Sequence, residues 1–62
     1  MIRTQLKDGM QVYTYRTVTD GFSTVVRDLK NTEILYLGNN STLEKASELH
    51  TMAARFLSFD FN

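Results

Sequence analysis

The chain has no cysteine, no proline and no tryptophan, one histidine (His50) and three glycines in 62 residues. Without cysteine no disulfide can staple it, and His50 has no thiolate to join it in a structural zinc site. Charge of one sign is missing as well. Seven basic and seven acidic residues cancel, which removes the broad attraction behind non-specific DNA binding while leaving room for a local basic patch. Arg3, Lys7, Asp8, Arg16 and Asp20 interrupt the first twenty residues. That leaves no apolar run for a signal peptide or membrane span, and the expected location is the cytoplasm. No phosphate-binding glycine loop, nucleophile elbow or metal-ligand cluster is present. No catalytic, cofactor or metal site is expected, and the chain reads as a binding module rather than an enzyme. Sixty-two residues make a single domain, 1–62, that buries only about 60% of its unfolded surface. Dense packing or self-association is the usual remedy for so small a core.

What is present is punctuation. Asp8-Gly9 and Asp20-Gly21 supply the positive φ angles of tight hairpin turns, and Lys30-Asn31 marks a third turn. Between them Met10–Thr19 and Phe22–Asp28 are rich in Val, Thr, Tyr and Phe, and Glu33–Leu37 is a short apolar strand. Ile2, Thr4 and Leu6 alternate and can add a short edge strand at the N-terminus. From Ser41 the period changes. Ser41-Thr42-Leu43-Glu44 reads as a capping box with Ser41 as the cap. Leu43, Ala46, Leu49, Ala53 and Phe56 then follow at helical spacing, with Met52 and Leu57 flanking, to a helix end near Leu57 or Ser58. The tail Phe59-Asp60-Phe61 either docks or hangs free. The expected fold is α+β: a three-stranded antiparallel sheet, with a short extra N-terminal strand allowed, packed on one C-terminal helix in the order β-β-β-α.

Two-residue turns at Asp20-Gly21 and Lys30-Asn31 fix a register: Thr17 opposite Thr24, Arg16 opposite Val25, Val26 opposite Leu35, Val25 opposite Tyr36. Alternation then sorts the residues onto two faces. Tyr13, Tyr15, Thr17, Phe22, Thr24, Val26, Leu35 and Leu37 would face the helix as core. Val12, Thr14, Arg16, Val18, Ser23, Val25, Arg27, Ile34 and Tyr36 would share the other face, which one helix leaves uncovered. A solvated sheet face should be mainly polar. Valines, an isoleucine and a tyrosine around two arginines are instead what interfaces are enriched in. Val12, Arg16, Val18, Val25, Arg27, Ile34 and Tyr36 are therefore the expected partner-binding residues. The bland alternative is that β-branched residues suit strands even when exposed. His50 is expected at the boundary of the helix stripe and Met52 as core filling. Asp8, Asp20 and Asp28 sit at turns for backbone reasons.

Val26-Arg27-Asp28, then Leu35-Tyr36-Leu37-Gly38, then Ser41-Thr42-Leu43-Glu44-Lys45-Ala46 and Ala53-Ala54 form a pattern. Over about residues 22 to 57 it resembles the DNA-binding domains of the plant ethylene-response-factor family and of phage integrase arm-binding domains. The resemblance implies three strands and a helix, with DNA read in the major groove by the sheet face opposite the helix. Arg27 and Tyr36 match positions on that face, and Arg16 joins them through the register above. The chain departs from the family in having Ile34 where a basic residue is usual, Phe22 or Ser23 near the place of a strand tryptophan, and a neutral rather than basic balance.

The leading expectation is a small protein-binding module that acts through the exposed sheet face and self-associates, as a dimer first of all. Phage-type accessory or inhibitor proteins are its nearest analogues in kind. A DNA-binding domain using the same face is the alternative. A third is an oligomer that closes a pocket between subunits around a nucleotide-like anion.

Overall fold

The structure is a computed structural model and describes residues 2–6, 9–18 and 21–60. In chain order it has β1 (Ile2–Gln5), β2 (Gln11–Arg16), β3 (Phe22–Arg27), β4 (Glu33–Asn40) and one helix, α1 (Leu43–Asp60). The strands form one antiparallel meander in the order β1-β2-β3-β4, with the helix on one side. The class is the α+β expected, but the sheet has four strands and not three. Ile2–Gln5, allowed as an optional edge, pairs with β2 along its whole length, from Ile2↔Thr14 to Gln5↔Gln11.

Three hairpins of one design join the strands. In each, an amide donates to the carbonyl four residues on: Leu6 to Met10 at 2.7 Å, Thr17 to Gly21 at 2.9 Å, Asp28 to Thr32 at 2.9 Å. Each loop therefore spans three residues, where two-residue turns were expected. Such loops place their last residue in the left-handed region, and Gly9 (φ 78) and Asn31 (φ 66) occupy it. Asp28 shapes the third loop, its Oδ1 accepting from the amides of Lys30 and Thr32 at 2.9 Å each. That is the backbone role its position implied. Asp8 and Asp20 lie outside the described residues.

Loop length decides which side each strand shows. Between β2 and β3 the pairing is Arg16↔Phe22, Thr14↔Thr24, Tyr13↔Val25 and Val12↔Val26. Relative to the expected Thr17–Thr24 and Arg16–Val25 pairs the strands have slipped by three residues. An odd slip turns β2 over. The Thr17 hydroxyl helps hold the longer loop by donating to the Gly21 carbonyl at 3.1 Å. The β3–β4 pairing keeps the expected Val26↔Leu35 and Val25↔Tyr36, because a bulge at Ile34 absorbs the extra loop residue. A second bulge leaves Leu37 unpaired between Tyr36 and Gly38.

The helix cap also sits one residue later than expected. Thr42 Oγ1 accepts from the Lys45 amide at 3.2 Å and its carbonyl from the Ala46 amide at 3.1 Å, so Thr42, not Ser41, is the cap. The helix runs through Asp60, beyond the expected end. Phe61 lies outside the described residues. The buried stripe is rotated as well. Ala46 and His50 are buried, with Ala53 and Leu57 half-buried in line with them. Met52 and Phe56, expected as core, stand 68% and 67% exposed. Among the described residues no helix is long and apolar enough to cross a membrane.

Candidate functional site

Alternation and register give the sheet two unlike sides. Toward α1 point Thr4, Val12, Thr14, Thr24, Val26 and Leu35. His50 descends from the helix into this side and is itself buried. Its Nδ1 shares a 2.8 Å hydrogen bond with Thr14 Oγ1, and its Nε2 one with Thr4 Oγ1 at 2.8 Å. Thr14 Oγ1 is bonded in turn to Thr24 Oγ1 at 2.8 Å. A neutral imidazole donates through one nitrogen and accepts through the other, and a hydroxyl does both, so this relay of four side chains can satisfy itself. Burial holds the His50 pKa below its ordinary 6.5. His50 is thus the centre of the core and not its boundary. Its hydroxyl partners also explain why β2 turns Thr14, rather than Tyr13 or Tyr15, toward the helix: the ring needs hydrogen-bond partners where water cannot reach.

The side away from α1 carries Arg3, Tyr13, Tyr15, Ser23, Val25, Arg27, Tyr36 and Asn39. Tyr13 and Tyr15, two apart on β2, stack with ring centroids 5.7 Å apart and planes inclined at 28°. The Arg27 guanidinium lies over the Tyr13 ring at 4.1 Å and reaches within 5.9 Å of Tyr15. Arg3 faces Tyr13 from β1, and Tyr36 flanks Val25 from β4. Val25 is fully buried between Tyr13 and Tyr36 although no helix covers it. Asn39 Nδ2 donates to Ser23 Oγ at 2.9 Å, tying β4 to β3 on the same side. The result is a polar, aromatic surface held in place by its own contacts, with Tyr36 its most exposed ring at 56%.

The seven expected partner-binding residues therefore divide. Arg27 and Tyr36 lie on the open side, as expected. Val25 lies on it but is sealed by its neighbours. Val12 is fully buried beneath α1 because β2 is turned over. Arg16, for the same reason, belongs to the helix side, where it stands exposed at the end of β2. Val18 projects from the β2–β3 loop and Ile34 sits at the bulge of β4, both exposed. No protein-family model, curated protein or solved structure matches this chain. Its site is read from its own geometry. Arg3, Tyr13, Tyr15 and Asn39 are residues of the open side that the sequence reading missed. The spacing Tyr13-Thr14-Tyr15 already puts both rings on one side of a strand. Only the loop length says which side that is.

Proposed function

We propose that the chain is a non-enzymatic protein-binding module that engages its partner with the sheet side opposite α1. The observation that carries this is the preorganised cluster of Tyr13, Tyr15 and Arg27 beside the exposed Tyr36. Tyrosine and arginine dominate binding energy where partners meet, since each offers a large, stiff contact area and a polar end. Stacked rings and a guanidinium already laid across them have little side-chain freedom left to lose on association. Asn39, Gln5 and Gln11 surround the cluster with hydrogen-bonding groups, as at a polar rim.

Duplex DNA is the second reading, favoured by Arg3 and Arg27 sharing this side, where Glu33 is the one acidic strand residue among the described residues. One experiment separates the two. The parent chain and a Tyr36→Ala, Arg27→Ala variant are immobilised in parallel and challenged with cell extract and with duplex DNA at low salt. The expected outcome is a protein retained by the parent and lost from the variant, the two truncations together weakening binding at least roughly thirtyfold. Retention on DNA that fades as salt rises would select the second reading. Equal capture by both chains would discard the surface altogether.

A further inference from the structure

The core of this chain is thin. Leu6, Val12, Val25, Val26 and Ala46 are its buried apolar side chains among the described residues, and threonines and a histidine fill much of the rest. Larger apolar side chains lie outside it: Leu35, Met52 and Phe56 are 49%, 68% and 67% exposed. A domain of this size with so little apolar burial commonly gains the rest by association.

Those residues are not scattered. Leu49, Met52 and Phe56 follow at three- and four-residue spacing, a stripe separate from the Ala46–His50–Ala53–Leu57 line under the helix. This is the spacing by which one helix packs against another. Leu49 anchors the stripe next to β4: a Cβ at Gly38 would sit 3.3 Å from its Cδ2. Leu35, on the same side of β4, extends the apolar surface. Glu48 and Arg55 flank Met52, both exposed. They stand about 10 Å apart along the helix, too far to pair with each other.

We infer that a second copy of the chain covers this stripe, the two α1 helices packing antiparallel across a two-fold axis. The order of charges selects that occupant. Antiparallel packing brings Glu48 of each copy toward Arg55 of the other, so two attractive pairs frame the two Met52 side chains. A two-fold contact must be self-complementary in this way. The open edge of β4 is a poorer place for self-association. Its two bulges, at Ile34 and Leu37, break the straight ladder that strand pairing needs. Helix pairing leaves the tyrosine–arginine side of each copy facing outward. It does not depend on what that side binds.

Sedimentation of the full chain tests the inference. The parent should sediment as a dimer, at twice the 7.2 kDa of one chain. Glu48→Arg alone and Arg55→Glu alone should each weaken the dimer roughly tenfold, two exposed pairs turning from attraction to repulsion. The combined Glu48→Arg, Arg55→Glu chain should regain the parent's affinity. Tyr36→Ala, on the far side, should leave the mass unchanged, and circular dichroism checks the fold of each variant. A monomeric parent overturns the inference. So does a dimer that the single reversals leave intact, or one that the double reversal does not restore.

Discussion

Under α1 the sheet presents threonine hydroxyls and small aliphatic side chains; on its other side it presents tyrosine rings and arginine. The covered side coheres through a hydrogen-bond relay centred on His50, with Ala46 and the valines packed around it. The uncovered side coheres through ring stacking and a guanidinium laid flat, and it shields Val25 without a helix. Burial and polarity are thus partly decoupled in this molecule. The polar groups that are most enclosed carry cohesion. The tyrosine ring that is most accessible, Tyr36, stands 56% exposed at the margin of this packing.

The contrast can be broken at its strongest point. His50→Ala should cost about 3 kcal/mol, since it opens a cavity and leaves the Thr4 and Thr14 hydroxyls short of a partner. Urea denaturation measures this, and a variant as stable as the parent would show that the relay is not what holds the helix side together. A smaller effect confined to acid should follow from the depressed His50 pKa. The unfolded chain takes up its proton near the ordinary value of 6.5 and the folded chain only at lower pH. Stability contributed by the neutral ring is therefore complete above pH 6.5 and declines as pH falls below it. Denaturation midpoints on either side of that value should show the decline in the parent and a weaker one in His50→Asn. The smallest effect belongs to the open side. Arg27→Ala should cost no more than about 1 kcal/mol, the worth of a surface cation–π contact. A much larger loss in thermal unfolding would mean that this side, too, is structural.

Much of the fold was legible from residues with local mechanisms. Glycine, aspartate and asparagine marked the three turns, and the change of period at Ser41 marked the helix. The pairing of β3 with β4 could be read because a bulge returned the strands to the register that the shorter turn implied. The fourth strand was visible in the alternation of Ile2, Thr4 and Leu6, but its membership depends on a partner far along the chain. The site was less legible. Asp20-Gly21 is compatible with loops of two or three residues, and that single difference exchanges Tyr13 and Tyr15 for Val12 and Thr14 on the side facing the helix. The central place of His50 was hidden for a related reason. Its partners, Thr4 and Thr14, lie 46 and 36 residues away, and nothing in the residues around position 50 announces them. Met52 and Phe56 looked like core because helical spacing identifies an apolar stripe without saying which neighbour it meets.

The three hairpins share a loop of three residues, closing at 6 and 10, 17 and 21, 28 and 32, so the connections recur every eleven positions. Removing one residue from the first or second loop would advance the pairing by one step, and every side chain beyond it would present itself to the opposite solvent or core. The third connection alone has a compensator, the extra residue in β4. Substitutions within the loops are accordingly far gentler than deletions. What heredity has to conserve at the first two turns is a count of residues more than their identity.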